Sequence, residues 1–414
     1  MNFTSAISGR PAVASRHLSS EAAFVLLASI TVSFLAGSSA PTPLYPTYMA
    51  EWGLSPLAIT IIFGIYAIAV LSALLVAGRL SDHVGRRPVL IGAALTQALS
   101  MGLLAVADGA TELITARVLQ GLAAGAALAA VGAGMLDLDK ARGATANAVA
   151  PPFGTATGSL IGGLFVQYLP APTQLIYLIL AGVFLAQAVL LSFMRETISP
   201  QAGALRSLLP RVSIPVRTRE PLLIAIPVLV AVWALAGFYG SLVPMLLKVV
   251  FGLHSPLLGG LSLFVLAASA GIAVLTLQRQ EAARMLILGT GMLLLGVGLI
   301  MAALPAGNIG LFFVGTAIAG IGFGTGFQGS VRTVVAHAAP HERAGVLAVI
   351  FIVSYLSMGA PAVVAGAWVA GHGGILETAL VFGAGVIALA GMALGVSGVR
   401  MVRSERRSVA SRAG

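Results

Sequence analysis

Apolar stretches of about 20 residues recur throughout this 414-residue chain, and short polar segments separate them. A helix needs roughly 20 apolar residues to cross the hydrocarbon core of a bilayer, so each stretch is long enough to span one. The composition agrees, because 58% of the residues are apolar and only 9% are charged. Soluble globular domains do not have that balance. We predict an all-α membrane protein with twelve transmembrane helices, near residues 22–44, 55–77, 88–107, 111–135, 144–168, 173–193, 221–246, 255–277, 285–304, 308–331, 344–369 and 375–398.

The residue types narrow the possible chemistry. The 50 glycines and 20 prolines lie within apolar segments, where they allow close helix packing and local unwinding. The absence of cysteine excludes disulfides and thiol catalysis, and the six histidines are scattered. The chain also lacks a GxxxxGK[ST] phosphate loop, an HExxH helix and a GxSxG elbow in a suitable context. We therefore expect no metal, no cofactor and neither an ATPase nor an enzyme.

The basic residues predict the orientation of the chain. With both termini in the cytoplasm, 21 of the 23 lysines and arginines fall in cytoplasmic segments, as the positive-inside rule requires. The exceptions are Lys248, in an outer loop, and Arg117, within a span. The net charge of +10 then follows from topology and attraction to anionic headgroups, not from nucleic-acid binding. We expect a multi-pass inner-membrane protein whose cytoplasmic N-terminal residues include Arg10 and Arg16.

The longest polar break divides the chain into two halves. It runs from Arg195 to Glu220 and carries five arginines and three prolines. The domains predicted from it are a cytoplasmic tail at 1–21, a six-helix bundle at 22–193, a cytoplasmic linker at 194–220, a second six-helix bundle at 221–398 and a basic cytoplasmic tail at 399–414.

Spans 4 and 10 repeat one another at an offset of 199 residues. Arg117 to Gly121, followed by Gly125, aligns with Thr316 to Gly320, followed by Gly324. Internal repeats of this kind are typical of secondary transporters, whose halves rock about a central site.

The segment after span 2 carries the most specific motif in the chain. It reads Gly78-Arg-Leu-Ser-Asp82-His-Val-Gly85-Arg86-Arg87-Pro-Val-Leu90. This segment closely resembles the signature G-x-L-x-D-R-x-G-R-R-x-x-L of the major facilitator superfamily. It departs from that signature at His83, where the family usually has arginine.

Each signature residue has a physical role. Gly78 permits close helix contact, Gly85 allows a sharp turn, and Asp82 can accept hydrogen bonds from the amide end of a neighbouring helix. The resemblance implies an inner gate that closes the cytoplasmic side, formed by Gly78, Asp82, Gly85, Arg86 and Arg87 together with Asp137 at the end of span 4.

Two further segments resemble patterns of the same family. Span 4 reads Arg117-Val-Leu-Gln120-Gly121-Leu-Ala-Ala-Gly125, similar to R-x-x-Q-G-x-x-x-G. Span 5 is similar to G-x-x-x-G-P-x-x-G-G, a pattern associated with antiporters, but Ser159 replaces its proline. The residues expected to serve helix packing are Gly121, Gly125, Gly154, Gly158 and Gly162.

Arg117 is the ionisable residue nearest the central path, which helices 1, 4, 7 and 10 line in this family. A charge in the bilayer must face water, a partner or an anionic ligand. Gln120 lies one turn later on the same face, while hydrogen bonding to backbone carbonyls is the alternative role for Arg117. The candidate substrate-binding residues are Arg117, Gln120, Ser38, Tyr66, Trp233, Tyr239, Gln328 and Tyr355.

The resemblance implies secondary active transport of a small molecule by alternating access. Proton-coupled efflux of a drug-like or metabolite substrate, by a monomer in the lipid bilayer, is the expected activity. No carboxylate lies clearly at mid-membrane, so a proton relay would use Glu112 or Glu377 near the outer ends of spans. Two alternatives stay open: uptake of a neutral or anionic metabolite of the sugar or organic-acid type, and a transport-inactive receptor.

Overall fold

Twelve long helices make up the protein in a computed structural model that describes residues 17–210, 212–371 and 373–413, with side chains as far as residue 395. All twelve are long and apolar enough to cross a membrane, which confirms the predicted fold class. Their bounds are α1 Ser20–Ser39, α2 Pro56–Ala77, α3 Arg86–Ala105, α4 Ala110–Leu138, α5 Lys140–Tyr168, α6 Leu175–Ser192, α7 Val216–Ser241, α8 Pro256–Leu277, α9 Ala282–Ala303, α10 Ile309–Val335, α11 Arg343–Gly371 and α12 Ile375–Ala413.

Short helices fill several of the connections. They are the 3-10 turn Thr42–Leu44 and the α-helices Tyr45–Trp52, Leu80–Val84, Ala204–Ser207 and Val243–Val250.

Polar side chains set the starts of several long helices. Ser19 accepts a hydrogen bond from the N–H of Ala22 at the start of α1, and Ser55 does the same for Ala58 in α2. Asp139 accepts from two backbone N–H groups in the first turn of α5. Such caps satisfy amides that have no partner inside the helix. The Asp139 cap also explains why α5 begins four residues earlier than residue 144, the start predicted for span 5.

Two predicted spans are interrupted near their ends. Span 1 was expected to continue to residue 44, but α1 ends at Ser39 and a 3-10 turn follows Pro41. Span 7 was expected to run to residue 246, but α7 ends at Ser241 and a new short helix begins with Pro244 in its first turn. Proline lacks the N–H that an uninterrupted helix requires, so both breaks have a local cause.

Helix contacts repeat between the two halves of the chain. In the first half α1 packs on α4, α5 and α6, α4 also packs on α2 and α3, and α3 packs on α6. The same contacts recur six helices later, with α7 on α10, α11 and α12, α10 on α8 and α9, and α9 on α12. The structure therefore consists of two pseudo-symmetric six-helix bundles.

Two helix pairs, α2 with α11 and α5 with α8, join the bundles. Glycine permits both contacts. A Cβ built on Gly359 would lie 3.5 Å from the carbonyl oxygen of Gly64, and one built on Gly260 would lie 2.4 Å from that of Ser159. These helices approach backbone to backbone, as small residues allow in membranes.

A hydrogen bond of 3.3 Å from Thr145 Oγ1 to Gln278 Oε1 joins the bundles near the face where α5 begins. Others join them at the face where α1 ends, which we call the distal face. There the Thr42 hydroxyl donates to the Gly240 carbonyl at 3.0 Å, and the Ser255 hydroxyl donates to Gln167 Oε1 at 3.0 Å. We call the other face, where α1 begins, the arginine-rich face because it carries the loops after α2, α4, α6, α8 and α10.

Candidate functional site

Arg117 lies in the interior of the first bundle, on α4, with only 1% of its surface exposed. Its Nη1 donates to the carbonyl oxygen of Ser38 at 3.0 Å and to Oε1 of Gln120. Gln120 is also fully buried, and its Nε2 donates to the carbonyl of Gly37 at 2.9 Å. The predicted pair of polar side chains therefore binds the last turn of α1.

Hydrogen bonds with the described residues engage only part of the Arg117 guanidinium. Its Nε and Nη2 form no hydrogen bond with the described residues, and neither does the buried hydroxyl of Tyr45. The Tyr66 ring covers the guanidinium, with its centroid 4.2 Å from Cζ, which places a cation over a π face. No described carboxylate forms a salt bridge with Arg117. Buried polar atoms are seldom left unpaired, so these donors mark a site that water or a ligand can complete.

Two glycines bring Tyr66 under Arg117. A Cβ built on Gly121 would lie 2.7 Å from the Tyr66 carbonyl oxygen and 2.5 Å from Ala69 Cβ. One built on Gly125 would lie 2.5 Å from the Val70 carbonyl oxygen. At neither glycine do these distances leave room for a side chain. Both glycines therefore allow α4 to lie close to α2, consistent with their expected packing role.

Trp233 and Tyr355 meet in an aromatic cluster between α7, α10 and α11. The Trp233 ring centroid lies 5.4 Å from that of Tyr355, 5.4 Å from that of Phe327 and 5.9 Å from that of Phe323. Trp233 packs against two buried core clusters, one of which includes residues of both bundles. The half-buried Gln328 follows Phe327 directly on α10.

Tyr239 lies apart from the other candidate binding residues, inside the second bundle. Its hydroxyl shares a hydrogen bond of 2.6 Å with Thr316 Oγ1, and its ring stacks on Phe312 with centroids 6.3 Å apart. It lines a small apolar cavity with Leu235 and Met301, among others. These contacts of Tyr239 all lie within the second bundle.

Asp82 and Arg86 of the signature segment lie together with Asp137, the residues expected to form the inner gate. Arg86 is buried, and its guanidinium binds Asp82, the Ser81 hydroxyl at 2.7 Å and Asp137 Oδ2 at 3.3 Å. Thr197, which follows α6, donates its hydroxyl to the same Asp137 oxygen at 3.1 Å. The cluster ties the α2–α3 connection to the end of α4.

Glu196 is the member of this cluster that sequence analysis missed. Its carboxylate accepts the backbone N–H of Arg86 at 2.8 Å and that of Arg87 at 3.1 Å, at the start of α3. Asp82 was expected to fill that role, and this expectation was wrong because its side chain turns to the Arg86 guanidinium. The sequence offers one signal for this role, because Glu196 is an acid just after span 6 and an anion stabilises a nearby helix N-terminus. Nothing in the sequence indicates which helix it would meet.

Gly85 has a positive φ of 110°, which L side chains rarely adopt, so glycine fits the turn that was predicted there. Gly78 directly follows α2, and a Cβ built on it would lie 2.3 Å from the Leu74 carbonyl oxygen. The side chains that bind the Arg86 guanidinium all belong to the first bundle, while Glu196, which accepts its backbone N–H, lies in the segment that follows α6. The cluster was expected to hold the cytoplasmic side closed, and that gating role stays a prediction.

The glycines of α5 hold that helix against α1. A Cβ on Gly154 would lie 2.6 Å from the Val32 carbonyl oxygen, one on Gly158 2.0 Å from that of Ala36, and one on Gly162 2.7 Å from that of Ala40. Ser159 faces the other bundle, where its hydroxyl donates to the Gly260 carbonyl at 2.8 Å. The residue that departs from the family pattern thus joins α5 to α8.

Duplicated six-helix bundles, a signature cluster and a buried arginine together define a secondary transporter. The family model of the Major Facilitator Superfamily matches residues 27–362. The chain belongs to the Major Facilitator Superfamily, and it is a multi-pass membrane transporter of small molecules, not an enzyme.

Known proteins resemble this chain in sequence and in fold. The cephamycin export protein CmcT of Amycolatopsis lactamdurans is 31% identical over 182 residues, which cover 41% of this chain and only 37% of that protein. Crystal structures of a mutant of the nucleoside transporter NupG (TM-score 0.70, 12% identity) and of the human organic anion transporter MFSD10 (0.61, 17%) share the fold. The NupG match covers 90% of this chain and 99% of NupG, and the MFSD10 match covers 91% and 100%.

Proposed function

We propose that this transporter exports a small amphipathic organic molecule that carries an anionic group, by alternating access across the inner membrane. The observation that carries the proposal is the buried Arg117 guanidinium, whose Nε and Nη2 have no partner among the described residues. A carboxylate can accept two parallel hydrogen bonds from one guanidinium, so an anionic substrate matches the unfilled part of the fork.

Electrostatics favours an anion at Arg117 over a cation or a neutral group. An arginine within a membrane helix is costly, by up to about 2.5–3.5 kcal/mol at the helix centre on insertion scales, and pairing offsets part of that cost. Arg117 lies between the distal end of α4 and its centre, so its cost is below that value. The hydrogen bonds to Ser38 and Gln120 neutralise no charge, because both partners are uncharged. A cationic substrate would add repulsion at this position, which weakens the case for a cationic-drug exporter.

The named relatives support export and an anionic cargo to different degrees. The sequence relative is called an export protein, which favours efflux over the uptake of a metabolite. One transporter of the same fold is described as moving organic anions. The direction is therefore inferred from a partial relative, and the charge of the substrate is inferred from Arg117.

Protons are the first candidate for the coupling ion, with Glu112 or Glu377 as the titrating group. Both residues lie in the first turn of a helix at the distal face, Glu112 in α4 and Glu377 in α12. Export of an anion also gains from an inside-negative membrane potential, by about 2.3 kcal/mol per charge and 100 mV. We propose a monomer with both termini in the cytoplasm, so that the arginine-rich face is the loading side.

The test is transport in proteoliposomes, with benzoate, 2-naphthoate and cyclohexanecarboxylate as acids and the corresponding amides as neutral counterparts. Flux is measured with an imposed potential and, separately, with an imposed pH gradient. Anion export predicts flux of acids but not of amides. Flux that does not change with the pH gradient would rule out proton coupling. Absence of flux for all of these compounds would argue against an anion exporter.

Variants of Arg117 test the assigned residue. A bidentate contact predicts that Arg117→Lys is nearly as inactive as Arg117→Ala, because lysine keeps the charge but loses the planar fork. If charge alone matters, lysine restores transport. Arg284→Ala is the control, since that side chain is 73% exposed and its loss should leave transport unchanged. Equal affinity and rate in Arg117→Ala and the parent would leave Arg117 with a packing role only.

A further inference from the structure

We infer that Trp233 and its aromatic neighbours form a second subsite, which takes a flat aromatic portion of the substrate that bears a hydrogen-bond acceptor. The inference rests on the proposed export of an organic anion, and it narrows the substrate class to aromatic acids. It depends on the juxtaposition of an aromatic cluster and an indole N–H that has no partner among the described residues.

The cluster surrounds Trp233 with rings in edge and tilted orientations. Phe323 and Phe327 approach at interplanar angles of 65° and 81°, and Tyr355 approaches at 41°. Aromatic pairs prefer such geometries because the positive edge of one ring meets the negative face of another. An aromatic ligand that enters can replace one of these ring contacts with an equivalent one, whereas a saturated ring cannot.

The Trp233 N–H gives the cluster a polar requirement. Nε1 is buried and makes no hydrogen bond with the described residues, although the residue as a whole is only half-buried. A buried indole N–H usually has an acceptor, so a ligand oxygen near the aromatic portion would supply the missing partner. An apolar packing role alone would be served as well by phenylalanine.

The subsite lies across the bundle interface from Arg117. Tyr66, which covers the guanidinium, belongs to the same buried core cluster as Tyr355, although the two side chains come from α2 and α11. Arg117 and Tyr66 belong to the first bundle and Tyr355 and Trp233 to the second, and the buried cluster that holds both tyrosines extends across the α2–α11 seam. A single ligand that has an acid at one end and a ring at the other fits this arrangement.

The repeat shows that the two bundles contribute different chemistry. Thr316 aligns with Arg117 at the offset of 199 residues, and its hydroxyl is bound to Tyr239 within the second bundle. No second cation therefore occupies the equivalent position on α10. The first bundle supplies the charge and the second supplies most of the aromatic surface, so an amphipathic ligand would contact both.

Export kinetics of three carboxylate probes test the subsite. The probes are 6-methoxy-2-naphthoate (ring and acceptor), 2-naphthoate (ring only) and cyclohexanecarboxylate (neither). The parent should prefer the methoxy probe, with a KM several-fold below that for 2-naphthoate and at least tenfold below that for cyclohexanecarboxylate. Trp233→Phe should remove the preference between the two naphthoates, and Trp233→Leu should also remove the preference for an aromatic ring.

A binding measurement on protein that keeps Trp233 tests the subsite even if the Trp233 variants fold poorly. It also tests the subsite separately from the proposed anion export. Trp52→Phe with Trp368→Phe leaves Trp233 as the sole tryptophan of the original three, so its fluorescence reports directly on the cluster. The neutral probe 2-methoxynaphthalene should quench it, and cyclohexanol should not.

Each outcome decides between the proposals. Unchanged probe preference in Trp233→Phe and Trp233→Leu, with no quenching, would overturn the aromatic subsite while leaving anion export in place. Absence of acid flux in the parent, with quenching by 2-methoxynaphthalene retained, would instead overturn anion export and leave an aromatic site.

Discussion

The carboxylate of Glu196 occupies the space that a side chain on Gly85 would need. A Cβ built on Gly85 would lie 2.5 Å from Glu196 Oε2, and the carboxylate accepts the N–H groups of Arg86 and Arg87 from that position. The glycine of the signature segment and an acid 111 residues later in the chain are therefore parts of one turn.

Gly85→Ala should destabilise the protein. The φ of 110° strains any L residue, by about 1–3 kcal/mol, and the new methyl group would displace Glu196 from the start of α3. Thermal unfolding in detergent measures the loss as a lower Tm. Gly92→Ala is the matched control, because Gly92 lies within α3 with nothing within 4 Å of a built Cβ and should gain slightly in helix propensity. Equal Tm values for the two variants would contradict this account.

Asp82→Asn should lower the initial transport rate about tenfold without preventing membrane insertion. The substitution removes one of the two carboxylates that hold Arg86, and a change of about 1.4 kcal/mol between two conformations corresponds to a factor of ten. Rates are compared at equal amounts of folded protein. Glu281→Gln removes an exposed acid paired with Arg284 and should be neutral. A normal rate in Asp82→Asn would exclude a gating role.

Crosslinking at the distal face should stop transport reversibly. Ser255 and Gln167 belong to different bundles and are joined by a hydrogen bond of 3.0 Å. The chain has no cysteine, so cysteines placed at these two positions would be its only thiols. A short, cleavable thiol crosslinker should abolish flux, and its cleavage should restore flux. Each single-cysteine variant serves as a control, and undiminished transport by fully crosslinked protein would show that the distal contact need not open.

Tyr239→Phe should lower stability without changing the KM for any transported acid. It removes a buried hydrogen bond to Thr316, worth about 0.5–1.5 kcal/mol, at a position that faces the cavity inside the second bundle. Thr316 keeps its bond of 2.8 Å to the Phe312 carbonyl, so the loss should stay small. Unfolding temperature and KM are measured on the same preparation. A raised KM at unchanged stability would show that Tyr239 contributes to substrate binding.

The sequence predicts those features that depend on local patterns. Apolar length predicted twelve spans, and the signature predicted that Arg86 and Asp137 would meet. Glu196 could not be found in this way, because no spacing rule connects the segment after α6 with the start of α3. The direction in which Tyr239 faces could not be predicted either, because α7 is almost entirely apolar after Glu220 and gives no amphipathic pattern.

The repeated glycines of α4 and α10 have a mechanical consequence. Built Cβ atoms on Gly320 and Gly324 would lie 2.3 and 2.5 Å from α8 carbonyl oxygens, as those on Gly121 and Gly125 crowd α2. Helices in such close backbone contact have little room to shear, so each half should move as one rigid body. Relative motion of the halves must then separate the helices at the α2–α11 and α5–α8 seams, because these contacts lie between the halves and not within one of them. Forces from lipids or bound molecules would change the working cycle by acting on these seams, not by deforming either half.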